Sequence, residues 1–334
     1  MWMTVKTVLY ALVIILSSPG YAVVTHSHEK YTTQVNKANA LIQLQIGLLY
    51  EEGIGFPQNS VFARYWFEKA AEQNNADALF YLGSYYLRGI VVNKDEERGI
   101  SLYRKAAGLG SSGAMNSLGL YAKKEKQTKE AILLYQQAIA SGSDVALLNL
   151  GAIYHEIGNY DESEKILLLA LNKDNKIKSE ALNKLGGLYY EYNFKKYSIN
   201  KAEKYYLESI LLGNEIAMSN LGMLYVDLEE YQKAFHYFKL SADKGFYVAI
   251  NNLGSLYRYG YGVKQDYTKA LSLFQRAAEL GSSSGLYNIA SMYEQGEGVK
   301  QDDNKAIEYY EKALAAGHYP AQKKIDDLRK KNAQ

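Results

Sequence analysis

The chain has 334 residues with 38 basic and 36 acidic side chains, and its formal charge of +2 excludes the strongly basic field on which nucleic-acid binders rely. Hydrophobic residues make up 48% and charged residues 22%, so the chain can bury a core and is not a disordered polymer. The lack of cysteine rules out disulfides, thiolate metal sites and a lipidated-cysteine anchor, while three prolines in the whole chain favour long helices.

The N-terminus carries Lys6, an apolar run from Thr7 to Leu16, and the small residues Gly20 and Ala22. This pattern reads as a secretory signal peptide over residues 1–22, cleaved after Ala22, with an apolar core too short to span a bilayer. The expected location is therefore the periplasm or the cell exterior, without stable membrane insertion after cleavage; an uncleaved anchor is the alternative. Residues 23–36 show no period and read as a flexible lead. Two histidines there, His26 and His28, are too few and too loosely held to make a metal site.

From residue 37 to 319 the sequence repeats itself. A small residue recurs at Gly47, Gly83, Gly119, Gly151, Gly186, Gly222, Gly254 and Ala290, spaced 32 to 36 apart, which gives eight units. An apolar residue precedes each, and tyrosine follows three positions later in seven of the eight, Ala122 being the exception. Spacings of three and four place these residues on one face of a first helix. A second helix in each unit carries Phe67, Tyr103, Tyr135, Leu167, Tyr206, Phe238, Phe274 or Tyr310, each followed three residues later by alanine or serine, so that a large ring can fill the groove left by a small residue. Asn74, Gly110, Gly142, Asp174, Gly213, Gly245, Gly281 and Gly317 then stand where a left-handed residue would end that helix. Repeats 3, 4 and 6 are four residues shorter between their helices than the others, and Asn175 to Lys178 reads as an inserted turn. Beyond Pro320, residues 320–334 read as a capping helix, Ala321 to Lys331, and a tail.

Leu253-Gly254, Tyr257, Gly260, Gly262-Val263, Asp266, Lys269-Ala270, Ala277-Ala278 and Gly281 together resemble the Sel1-like repeat family, and Gly296, Gly298 and Asp302 repeat the loop portion. The shorter repeats, such as Leu150-Gly151 with Tyr154, Gly158 and Tyr160, look like tetratricopeptide repeats. The resemblance implies an all-α, right-handed α/α superhelical solenoid of about eight helical hairpins whose first helices line a concave groove. Carrying over groove positions gives a partner-binding set of Asn116, Leu148, His155, Asn183, Tyr190, Ser219, Asn251, Ser255, Arg258 and Tyr287. The amides of Asn116, Asn183 and Asn251 would pair there with the backbone of a bound peptide. Tyr259, Tyr261, Tyr287 and Tyr319, not explained by helix packing, are further candidate contacts.

No catalytic constellation emerges. Gly281-Ser282-Ser283-Ser284-Gly285 fits the G-x-S-x-G pattern, but a helix precedes it where a nucleophile elbow needs a strand, so it reads as an inter-repeat turn. The glycine pairs 260/262 and 296/298 lack the strand and the Gly-Lys-Ser/Thr of a phosphate loop. Lys123, Lys124, Lys126 and Lys129 read as a solvated loop. The expectation is a monomeric, non-enzymatic protein without metal or cofactor that binds one protein or peptide partner as an envelope adaptor. The resemblance extends this to an immunity protein that neutralises a secreted toxin of phospholipase type. Alternatives are a secreted factor that binds host proteins and a cell-wall or β-lactam hydrolase.

Overall fold

The computed structural model describes residues 40–55 and 57–332; the signal peptide and lead expected over 1–36, with His26 and His28, lie outside them. The described residues form 17 α-helices and no strand. They divide into two compact units, one ending at Ile157 and the other beginning at Gly158. The first holds α1 (Ala40–Glu52), α2 (Ser60–Glu72), α3 (Ala76–Arg88), α4 (Glu96–Gly108), α5 (Ser112–Lys124), α6 (Thr128–Ala140) and α7 (Val145–Glu156). The second opens with α8 (Tyr160–Ala170), α9 (Asn175–Tyr190), α10 (Ile199–Leu211), α11 (Glu215–Asp227) and α12 (Tyr231–Asp243). It continues through α13 (Tyr247–Tyr259), α14 (Tyr267–Glu279), α15 (Ser283–Gln295), α16 (Asp303–Ala315) and α17 (Ala321–Asn332). In each unit the first and second helices of a repeat pack as a hairpin, and the second helix also packs on the next first helix, as α2 does on α3 and α12 on α13. Both units are stacks of hairpins, the all-α solenoid class that the repeat predicts.

Helix ends follow local chemistry. In the long repeats the second helix begins at a side-chain cap: Asn59 accepts from the amides of Val61 and Phe62, Asp95 from Arg98, Ser198 from Lys201, Asp266 from Lys269 and Asp302 from Lys305. Each such cap contributes about 1 kcal/mol by occupying an amide with no partner inside the helix. The short repeats turn differently. Their corner residue is left-handed, Lys126 at φ 59°, Gly158 at 76° and Glu229 at 60°, and α6, α8 and α12 start without a side-chain cap. The two repeat lengths are two ways of turning one corner.

Seven of the eight expected helix terminators are left-handed, from Asn74 at φ 57° to Gly110 at 94°. Asp174 is not: at φ −57° and ψ 163° it is extended, and its carboxylate caps α9 by accepting from the amides of Lys176 and Ile177. Asn175 to Lys178 therefore form no inserted turn; they are the additional first turn of a 16-residue helix. An aspartate prefers the capping role because its side chain competes for exposed amides more readily than it adopts a left-handed backbone.

Packing within a hairpin depends on the repeat glycine. A Cβ added at Gly47 would lie 2.5 Å from the Phe67 ring, at Gly83 2.6 Å from Tyr103, and at Gly119 2.6 Å from Tyr135. The second unit repeats this at Gly186 with Tyr206 (2.5 Å), Gly222 with Phe238 (2.6 Å) and Gly254 with Phe274 (2.8 Å). The rings of Phe67, Tyr135, Phe274 and Tyr310 are fully buried, and each contributes about 2–3 kcal/mol of apolar burial. The alanines or serines three residues after the rings are equally buried at Ala70, Ala138, Ser209, Ser241, Ala277 and Ala313. At the end of the second unit, α17 buries Ala321, Ile325 and Leu328 in a cluster with Tyr310 and Ala313. Ion pairs Lys324–Glu294 (2.9 Å), Arg329–Glu311 (2.6 Å) and Lys331–Asp303 (2.6 Å) seat it.

Two glycines should therefore respond in opposite directions. Gly254→Val, facing a ring, should lower the unfolding free energy by about 2–3 kcal/mol. Gly108→Ala, at an exposed helical position with nothing within 4 Å of the new Cβ, should raise it by roughly 0.5 kcal/mol. Urea unfolding of both variants checks the register: equal and small effects would contradict it.

Candidate binding surface

The tyrosine three residues after the repeat glycine is held at the hairpin edge. Lys201 lies over Tyr189 (4.7 Å from the ring centre), Lys233 over Tyr225 (4.9 Å), Lys269 over Tyr257 (5.1 Å), Lys305 over Tyr293 (5.2 Å) and, in the first unit, Arg98 over Tyr86 (4.2 Å). Three of these rings also stack on a tyrosine of the second helix: Tyr189 on Tyr205, Tyr225 on Tyr237 and Tyr293 on Tyr309, at 5.5 to 5.8 Å. Cation contacts of this kind are worth about 0.5–1 kcal/mol where exposed, so these tyrosines serve the frame.

Hydroxyls of the buried second-helix rings reach toward the first helices. Tyr103 Oη meets Ser84 Oγ at 2.8 Å, and Tyr310 donates to Glu294 at 2.5 Å. On the first helices, Tyr85, Tyr189 and Tyr225 donate to carboxylates of the preceding repeat, Glu51, Glu164 and Glu203. Burial, then the carboxylate partner, raises the phenols of Tyr85, Tyr189, Tyr225 and Tyr310 above their ordinary value and keeps them neutral donors. Tyr135 Oη is buried without a hydrogen-bond partner, and desolvation with nearby Glu156 pushes it up to about 12.

First helices of successive repeats touch each other directly, α3 with α5, α5 with α7 and α9 with α11. Their contacts include a carboxamide clasp. Asn149 Nδ2 donates to Asn116 Oδ1 at 2.8 Å, Asn220 to Asn183 at 2.9 Å and Asn288 to Asn251 at 2.9 Å. The same repeat pairs are joined again nearer the loops: Lys123 to Glu156 at 2.5 Å, Tyr190 to Asp227, and Arg258 to Glu297 at 2.6 Å with Ser291 at 2.8 Å and Gln295 at 3.2 Å.

These clasps revise the expected groove. Leu148, Ser219, Asn251 and Arg258 are buried and do not form accessible surface; Asn251 and Arg258 also join successive repeats. The carbonyl oxygens of Asn116, Asn183 and Asn251, expected to meet a bound peptide, accept from the following repeat instead. Asn116 and His155 in the first unit, with Asn183, Tyr190, Ser255 and Tyr287 in the second, are half-buried. Tyr287 packs on His318 at 4.5 Å and Tyr310 at 5.1 Å, whereas Tyr259, Tyr261 and Tyr319 are exposed. Leu120 in the first unit and Met223 in the second were missed in the sequence, and Lys123, read there as part of a solvated loop, stands on α5. They stand one or four residues after the repeat glycine, with Leu120 48% and Met223 42% exposed. Counting the helical period forward from the glycine finds them.

The second unit has an open cleft of about 540 Å³ at the starts of α9 and α11, lined by Ser179, Glu180, Asn183, Lys184, Asn214 and Ile216. Ser282, in the hydrolase-like string, caps α15 by accepting from the Gly285 amide at 3.0 Å, as expected of a turn. Among the described residues no group of acidic and histidine side chains is placed to hold a metal, and no helix is long and apolar enough to cross a membrane.

The sequence pattern of the Sel1 repeat matches residues 42–75, 76–111, 179–214, 216–246, 248–282 and 283–318, and that of the tetratricopeptide repeat matches residues 122–185. A putative Sel1-like repeat-containing protein of Acanthamoeba polyphaga mimivirus is 31% identical over 136 residues, which are 40% of this chain and 24% of that protein. A protective antigen of uropathogenic Escherichia coli with an SLR fold is 28% identical at a TM-score of 0.62, covering 89% of this chain and 66% of its own. A Sel1 repeat protein from Oxalobacter formigenes, 20% identical, shares the fold at a TM-score of 0.58 over 94% and 93% of the two chains.

Arg258 now has a structural role with a measurable size. Arg258→Ala should cost about 3 kcal/mol, because Glu297 loses its ion-pair partner in a partly desolvated place. Combining it with Glu297→Gln should recover part of that loss, and a urea double-mutant cycle reads the coupling.

Proposed function

The chain belongs to the Sel1 repeat family, and from that premise we propose that it is a protein-interaction scaffold working in the bacterial envelope. Sel1 and tetratricopeptide folds generally mediate protein–protein interactions and are typically non-catalytic. The observation that carries the reading is the contrast between a constant frame and a changing face. The glycine, the ring and the edge tyrosine recur from repeat to repeat, while the residues one and four after the glycine do not. They are Leu120 and Lys123 in one repeat, Gly187 and Tyr190 in another, and Met223 and Val226 in a third. A stiff support with a non-repeating face suits recognition of one non-repeating partner.

Export is supported by Lys6, the apolar run to Leu16 and the small residues Gly20 and Ala22. The partner is then a protein of the envelope or the cell exterior. Holding it one to one suits both an adaptor and the neutralisation of a secreted toxin, and the identity of the captured protein separates these roles.

Capture from envelope extracts with tagged protein beginning at Val23 tests the proposal. One protein should be recovered at one-to-one stoichiometry. Leu120→Lys or Met223→Lys should weaken capture roughly tenfold, about 1.4 kcal/mol, with the melting temperature unchanged. Turnover of peptidoglycan or a β-lactam by the purified chain, abolished by a point substitution, would replace the scaffold with an enzyme.

A further inference from the structure

In the second unit the edge formed by the ends of the first helices and the following loops carries exposed tyrosines that the frame does not use. After α9, Tyr192 is 84% exposed and meets Tyr197 at 5.9 Å, and Tyr197 lies 6.4 Å from Tyr190. Tyr190 donates to Asp227 at the end of α11, which carries this row into the next repeat. Tyr231, at the start of α12, stacks on Tyr261 at 4.7 Å and 16°, and Tyr261 adjoins Tyr259 at 5.6 Å. Gly262 makes that stack possible: a Cβ there would lie 2.6 Å from the Tyr231 backbone. Below the stack is a cleft of about 440 Å³ lined by Glu229, Glu230, Tyr231, Gln232, Lys233 and Gly262.

The charges along this row are unequal. Glu230 pairs with Lys233 at 2.5 Å, and Arg258 is buried against Glu297. Asp227 and Glu229 are exposed and have no ion-pair partner among the described residues. Glu229 also occupies the left-handed corner, φ 60°, where repeat 4 has Gly158. A glycine would relieve that backbone, as it would at Lys126 in the same corner of repeat 3.

We infer that this tyrosine–carboxylate edge of repeats 5 to 7 is a docking surface for an arginine- or lysine-bearing segment of a protein partner. The inference rests on the reading of the chain as a protein-binding repeat and places a contact outside the inner face. Two things select a basic occupant. Partly exposed rings beside carboxylates that have no ion-pair partner attract a cation through both the ring quadrupole and the charge. The chain itself already uses this chemistry, with Lys or Arg over five edge tyrosines and Arg258 5.4 Å from the Tyr259 ring. A partner's guanidinium would lie on Tyr259 or Tyr261 while Asp227 and Glu229 balance its charge.

Fluorescence anisotropy with a labelled nona-arginine peptide and the full chain tests this. Tyr259→Ala with Tyr261→Ala should weaken binding at least tenfold, and Asp227→Asn with Glu229→Gln at least fivefold. Asp326→Asn with Asp327→Asn, on α17, should leave it unchanged. Glu229→Gly should weaken binding while raising the melting temperature, which separates lost contact from lost fold. Equal binding by all variants would overturn the inference, as would a nona-glutamate peptide binding as well as the arginine probe. Binding of chitotetraose lost with the tyrosines, in place of arginine binding, would make the edge a glycan surface and also overturn it. If envelope capture is sensitive to Leu120→Lys while the arginine probe ignores the edge variants, this inference fails alone; if capture fails too, the scaffold reading fails with it.

Discussion

In six of the eight repeats the backbone of the first helix runs so close to a ring of the second that one methyl group would collide with it, and most of the architecture follows from that spacing. At 2.5 to 2.9 Å from an imagined Cβ, the rings of Phe67, Tyr103, Tyr135, Tyr206, Phe238 and Phe274 fill the room that a missing side chain leaves. Close approach brings the edges of the two helices together, which lets Lys201 or Lys305 cover a tyrosine and lets Tyr205 or Tyr309 stack on it. It also carries the hydroxyls of Tyr103 and Tyr310 across the hairpin to Ser84 and Glu294. In the last repeat an alanine takes the glycine's place, and Ala290 and Tyr310 are both completely buried.

A second regularity has twice the period of the first. The carboxamide clasps join repeats 3 with 4, 5 with 6 and 7 with 8, and each of those pairs is joined again by a polar contact nearer the loops. At the junction of repeats 6 and 7 the corresponding amide, Asn252, points to Met223 Sδ at 3.3 Å, a weaker acceptor. Half-buried amides cost stability unless they are paired, and pairing them across a repeat boundary turns that cost into a fixed orientation. Binding gains from this stiffness because less freedom is lost when a partner docks.

The sequence was most legible where one residue type recurs for one reason. Glycine, ring and left-handed terminator each answer a local or hairpin-level demand, so their period alone placed them. The groove was less legible because a helical period shows which side chains share a face but not which of them a neighbour claims. Asn116 looks like a free amide until Asn149, 33 residues away, is seen donating to it. Arg258 looks like an exposed cation until Glu297 closes over it. Asp174 was misread for a related reason: its position in the alignment of repeats matched the terminators, while its chemistry suited the opposite end of a helix.

The corners of the short repeats show what such a frame permits. The same left-handed position is filled by Lys126, Gly158 and Glu229, and only the glycine suits it without strain. A non-glycine residue there costs about 1 kcal/mol, small beside the about 2–3 kcal/mol that each buried ring supplies. The interior can therefore carry unfavourable residues at the corners without losing the hairpin. Corner side chains are then free to vary in charge and shape without disturbing the residues that fold the hairpin.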